Sequence, residues 1–250
     1  MRPPFLKAWR WVGAFGPDVM LCVARAAVGA AHAGWWAVWD PAEGRLFERT
    51  RHSWRGVTVE PGRAAVRQRG VEIELALTPA GEPVGAGAGA PPGAISAGAP
   101  DEAPWTTKTP VFVRGEVRVG KRVLRVDAGG LLDESGGRHP RHTAWLWAAG
   151  VGRTPAGAQL TWNLVQGMNA AEQAVWVDGV AHPVAPVAFD GLAGVAGLRF
   201  TAEATRARRE NLVVLASDYE QPFGRFAGEL PVGGPLAAGW GVMERHKALW

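Results

Sequence analysis

The sequence predicts an all-β protein, an antiparallel sandwich or barrel, and three observations carry that expectation. Short segments rich in Val, Trp, Leu and Thr recur between Gly, Pro or Asp signals at roughly 8–12 residue spacing. Two stretches read as hairpins. WDPAEGRLFER, Trp39 to Arg49, puts a turn between two strands, and VRGEVRVGKRVLRVD, Val113 to Asp127, has a Gly-Lys turn between alternating arms. Helical periodicity is almost absent: the one candidate helix, Ala202 to Glu210, reads equally as a strand end followed by a turn.

Along the chain, the opening MRPPFLKAWRWVGAFGPDVML lacks the unbroken apolar run and cleavage site of a secretory signal. The apolar zone Val19 to Trp39 could measure out a bilayer, but Arg25, His32 and several glycines interrupt it. It reads as strands of a cytoplasmic protein without stable membrane insertion. The single cysteine, Cys22, excludes an internal disulfide and suits a buried, inert thiol. Between Pro79 and Pro104, AGEPVGAGAGAPPGAISAGAPDEA offers little to fill a core, so 79–104 is expected to be a disordered loop. A weak internal echo pairs Trp9-Arg10-Trp11 with Trp145-Leu146-Trp147, each followed later by a Trp and an Asp near a turn, Trp39-Asp40 and Trp176-Val177-Asp178. Two β lobes built alike, 1–127 and 128–250, would account for it.

Apolar residues make up 47% and charged residues 20%, a composition that folds. The net charge of +4 is scattered: the densest run, RARRE at Arg206 to Glu210, is broken by Ala207 and closed by an acid. No nucleic-acid partner is expected, because that recognition needs a clustered basic face. No phosphate-cradling loop, nucleophile elbow, paired Cys motif or dinucleotide fingerprint is present, so no cofactor is expected.

What stands out is tryptophan, thirteen in 250 residues. Indoles are large, keep an N–H that wants a partner, and often line ligand cavities together with a few placed polar groups. In GWGVMERHKALW, strand alternation puts Trp240, Val242, Glu244 and His246 on one face, so a carboxylate and an imidazole share the more apolar side. Such a pair can carry acid–base work; a frayed, solvated terminal strand is the plain alternative. In DESGGRHPRHTAWLW, a glycine-rich turn over Ser135 to Gly137 would hold Asp133 and His139 at a barrel mouth, with a strand from His142 carrying Trp145 and Trp147 into the wall. A surface turn anchored by its own Asp is equally compatible. His139, His142 and Asp133 have the residue types of a metal site, but the proline in His-Pro-Arg-His prevents a helix from presenting both imidazoles, and no metal is expected. In QLTWNLVQG, Leu160, Trp162 and Leu164 face one way and Thr161, Asn163 and Val165 the other; a buried Asn163 must find partners, on a ligand or on a neighbouring strand.

The blocks DESGGRHPRHTAWLWAAGVG, LTWNLVQG, VWVDG, ENLVVLASDYEQPFGRFAGELP and GVMERHKALW, in this order, resemble the family catalogued as domain of unknown function 2804. The likeness covers Trp105 to Trp250, with Trp9 to Thr50 matching more loosely. The resemblance implies two lipocalin-like antiparallel lobes, remotely similar to the calycin-type carotenoid hydratases and cyclases, which handle apolar substrates without a cofactor. Asp133, Gly137, Pro140, Thr143, Trp145, Trp147, Asn163, Asp178, Asn211, Phe223, Glu244 and His246 match family positions. Arg138 stands where a tyrosine or apolar residue is usual, which puts ring stacking there in doubt. The chain is also shorter than typical members at its N-terminus, so an open or trimmed first lobe is expected.

The expectation is a Trp-lined β-barrel pocket for a lipophilic small molecule, with cofactor-free hydratase-, isomerase- or cyclase-like chemistry. Asp133, Glu244 and His246 are the candidate catalytic groups. His139, His142, Trp145, Trp147, Trp162, Asn163 and Trp240 are the candidate ligand contacts. A carrier with the same cavity and no chemistry, or a β scaffold for protein contacts, are the rivals.

Overall fold

A computed structural model describes residues 6–86, 103–211 and 216–249. Ten strands build a first antiparallel sheet: Leu6–Phe15 (β1), Met20–Val28 (β2), Ala31–Asp40 (β3), Arg45–Arg51 (β4), Val57–Glu60 (β5), Arg63–Gln68 (β6), Val71–Pro79 (β7), Val84–Ala86 (β8), Trp105–Val119 (β9) and Arg122–Arg138 (β10). Ten more build a second: His142–Arg153 (β11), Gln159–Gln166 (β12), Ala174–Val177 (β13), Val180–Pro183 (β14), Phe189–Asp190 (β15), Gly194–Val195 (β16), Leu198–Asn211 (β17), Ala216–Leu230 (β18), Gly234–Pro235 (β19) and Ala238–Leu249 (β20). Both sheets curl. In the first, Arg10 reaches from β1 to Glu134 on β10 at 2.6 Å and also donates to the Val59 carbonyl on β5, tying the sheet's distal edge across its own middle.

The two sheets repeat one order of paired strands, β4-β3-β2-β1-β10-β9-β7-β6-β5 and β14-β13-β12-β11-β20-β18-β17-β16-β15. The Trp-x-Trp echo marks equivalent strands, β1 and β11, and Trp11 meets Trp147 edge-on at 5.0 Å across the seam between the lobes. Each strand position of the second sheet has a counterpart in the first. Strand alternation sorts the apolar residues into three clusters. Val12, Leu21, Val38 and Ile73 fill the first sheet's concave side, and Leu160, Trp162, Phe226 and Met243 fill the second's. The opposite faces of the central strands carry Trp11, Phe15, Leu131, Trp147, Trp176 and Phe223, and these cement the lobes together. At about 1.5–3 kcal/mol for each large side chain removed from water, the third cluster gives the lobes ample reason to dock.

Several expectations change. Ala202 to Glu210 is strand throughout, part of β17, with a bulge between Ala202 and Ala204. The bulge moves the next residues to the other face: Leu198 and Phe200 enter the second sheet's core, whereas Ala204 and Arg206 face the seam. That break in period 2 is why the stretch resembled a helix. Ser135 to Gly137 is no turn, since β10 continues to Arg138 paired with β1. The division at 127/128 therefore falls inside a strand of the first sheet. Of 79–104, Val84–Ala86 pairs with β9, and the Glu82 backbone bonds to the second lobe at both ends, its N–H donating to the Gly179 carbonyl and its carbonyl accepting from Trp176 Nε1. The expected loop over 87–102 lies outside the described residues. Among the described residues no helix is long and apolar enough to cross a membrane, a statement that does not extend to strands.

Close strand contact demands glycine at matching places. A Cβ on Gly130 would sit 2.0 Å from the Gly13 carbonyl oxygen, and one on Gly241 2.1 Å from that of Ala149. Backbone cannot yield as a side chain does. Gly130→Ala is expected to cost about 1–3 kcal/mol, read as a lower urea midpoint.

Candidate functional site

A cavity of about 270 Å³ lies at the seam between the two sheets, not inside either barrel as the sequence suggested. Apolar walls come from Trp9 and Trp11 of β1, Trp145 and Trp147 of β11, and Val165 and Met168 beside β12. Its volume falls just below the roughly 300–1,000 Å³ usual for small-molecule sites, which suits a compact ligand.

Two carboxylates face it from equivalent strands, Asp133 on β10 and Glu244 on β20. Each receives an indole N–H from the β1 or β11 tryptophan: Trp9 Nε1 donates to Asp133 at 3.3 Å and Trp145 Nε1 to Glu244 at 2.8 Å. Each also receives a donor from the strand on its other side, and here the repeats part. Lys108, opposite Asp133 in β9, puts its ammonium against that carboxylate and also lies 3.1 Å from Glu172. Gln221, opposite Glu244 in the register that pairs Glu220 with Arg245, donates a neutral amide N–H at 2.7 Å.

Burial, aided by the nearby Asp133 charge and only partly opposed by the Trp145 and Gln221 hydrogen bonds and the Arg206 charge, pushes the Glu244 carboxyl up to about 7. Burial opposes the charge of Lys108, but Asp133 and Glu172 override it and hold the ammonium above its ordinary value. Gln221→Lys is therefore expected to lower the Glu244 pKa by about 1–3 pH units, measured by carbon-13 NMR titration of labelled glutamate carboxyls.

His246 completes this wall. Its Nε2 lies 2.9 Å from Ser217 Oγ, and its ring packs between Trp145 and Tyr219, at 4.4 and 5.3 Å. Burial and the positive Arg206 push the imidazole down to about 4, so it is neutral at physiological pH. Lys7, buried on the same wall and donating to the Pro140 carbonyl at 2.8 Å, is brought by burial down to about 7.

Of the sequence-derived candidates, Asp133, Glu244, His246, Trp145 and Trp147 share the cavity. Asn163 stands behind it, fully buried, accepting from Trp147 Nε1 at 2.7 Å and donating to the Glu172 carbonyl, so it positions an indole and does not line the hollow. Trp162 points the other way, into the second sheet's core against Phe226, because even-numbered β12 residues face inward. Trp240 packs against the seam cluster outside the cavity lining. His139 is buried behind Trp9, ring centroids 5.2 Å apart, and burial and Lys7 push it down to about 4. His142 lines a separate surface groove. Among the described residues no group of three His, Cys, Asp or Glu side chains could hold a metal ion. Cys22 is buried, its thiol pushed up to about 12 by burial. Sequence reasoning missed Lys108, Glu172, Arg206, Tyr219 and Gln221. The alternation Tyr219, Gln221, Phe223 could have flagged the last of these as a polar group on an apolar face.

The sequence profile described as Domain of unknown function (DUF2804) matches residues 99–250. No curated protein has a significant sequence match to the chain. Among solved structures, one from Nitrosomonas europaea, provisionally described as AttH, superposes with a TM-score of 0.53 at 14% identity, covering 96% of this chain and 92% of that one. CghA gives 0.49 at 13% identity, covering 98% and 88%, and kievitone hydratase from Nectria haematococca 0.47 at 10%, covering 96% and 88%. The likeness to the first establishes the shared lipocalin-like fold of two curled antiparallel sheets.

Proposed function

We propose, from the premise that the chain belongs to the DUF2804 family, whose description assigns no activity, that it binds a lipophilic small molecule at the lobe seam and moves a proton on it without a cofactor. One observation carries the reading: Glu244, buried in an aromatic cavity and held by two neutral donors, has a pKa of about 7. A carboxyl poised there can both give and take a proton at neutral pH, as general acid–base catalysis needs. Its partner by symmetry, Asp133, is bound to an ammonium and serves as a fixed negative charge that helps keep Glu244 protonated. Neutral His246 holds the indole of Trp145 and the Ser217 hydroxyl in place around the acid. The indole faces suit a transient positive charge on the ligand. Hydration, isomerisation and cyclisation all fit this equipment.

The test is mass spectrometry of small molecules co-purifying with the wild-type protein and with Glu244→Gln. Catalysis predicts that the variant retains a compound which added wild-type protein converts. Identical, unconverted compounds in both would make the protein a carrier, and none in either would remove the pocket's role.

A further inference from the structure

We propose, building on that reading of the cavity, that the wall formed by β3, β17 and β18 is a subsite for an ionised oxygen, so that the ligand is an apolar molecule bearing a carboxylate, an enolate or a phenolate. The wall is unusual in what it lacks. Arg206 is almost completely buried between the rings of Trp35 and Tyr219, 5.6 and 4.7 Å from their centroids. One Nη donates to Thr50 Oγ1 at 2.7 Å. The half-exposed Glu48 carboxylate lies 3.1 Å from Nε, yet Nε makes no hydrogen bond. The Tyr219 hydroxyl lies against the Arg206 guanidinium, and neither its O–H nor Trp35 Nε1, both buried, reaches an acceptor among the described residues.

A buried hydroxyl and a buried indole N–H that reach no acceptor, beside a guanidinium whose one nearby carboxylate is half-exposed, are hard to explain as packing, because buried polar groups in native proteins nearly always find partners. Both can donate. Beside a guanidinium that stays charged, the matching group is an acceptor carrying negative charge. The bulge in β17 is the device that places Arg206 here, since without it the side chain would point into the second sheet's core. The remaining walls, Trp9, Trp11, Val165 and Met168, fit an apolar body. With an enolisable carbonyl as ligand, ionised Glu244 would take the α-proton while the C–H electron pair becomes a C=C bond and the carbonyl π pair moves onto oxygen; Arg206 and Tyr219 would hold the resulting enolate until the proton returns to another carbon.

The experiment compares 2-naphthoate with its methyl ester, the same apolar body without the charge, by calorimetric titration at neutral pH. The wild type is expected to bind naphthoate about tenfold or more tighter than the ester. Arg206→Met should abolish that preference by weakening naphthoate alone, and Tyr219→Phe, which removes only a hydroxyl, should reduce it without disturbing the fold. Equal affinity of the wild type for both probes, or a preference unchanged in both variants, would overturn the subsite while leaving the seam pocket intact. Binding of neither probe would overturn both the pocket reading and the subsite.

Discussion

Glu244→Gln is expected to slow turnover about 10²–10⁴-fold, the usual contribution of one positioned acid–base group, while ligand affinity stays within a few-fold. The amide copies the neutral carboxyl in shape and can still accept one of the two hydrogen bonds from Trp145 and Gln221. It cannot exchange a proton near neutrality. The same variant has a signature that needs no substrate. The folded pKa of Glu244, about 7, lies above the unfolded value, so the folded protein holds this proton more tightly. Stability from that proton is complete below about pH 4.3 and is lost as pH rises through 7. Above pH 7 the wild type carries a buried charge that the variant lacks. The variant's stability relative to wild type should therefore climb by roughly 3 kcal/mol between pH 4.5 and 8, read from urea midpoints of both proteins across that range. A flat difference would mean that Glu244 is ionised throughout.

Lys108→Met is expected to be the most damaging substitution for stability at neutral pH. The Lys108 ammonium is the shared counterion of Asp133 and Glu172, and all three side chains are buried. Thr106 adds a hydroxyl donor to Glu172 at 3.0 Å and accepts from Ser135 Oγ, so the cluster is closed by hydrogen bonds. Removing the cation leaves two carboxylates facing each other in a dry site, and breaking a buried pair in this way costs about 3–5 kcal/mol. Neutralising the carboxylates as well, by Asp133→Asn and Glu172→Gln in the Lys108→Met background, should recover much of the loss. Urea denaturation of the single and triple variants decides it; equal loss in both would mean that Lys108 acts through packing and not through charge.

Much of this was legible in one dimension. Alternation alone placed Glu244 and His246 on the face that carries Trp240 and Val242, and the Trp-x-Trp echo marked the strands that meet at the seam. It could not say which face of a sheet meets the other lobe, so Trp162, from an equally clean pattern, was assigned to the ligand although it fills a core. Lys108 and Asp133 are brought together by the β9–β10 hairpin, yet nothing in TTKTPVF distinguishes a buried ammonium from a solvated one. Arg206 was hidden for a different reason. One extra residue in β17 breaks period 2, and the pattern that would have aimed the side chain disappears.

Because each half keeps a core of its own, the join between them is the cheapest place for the molecule to come apart. Trimming either indole of the Trp11–Trp147 contact is therefore expected to loosen the join while each β-fold, resting on its own core, stays intact.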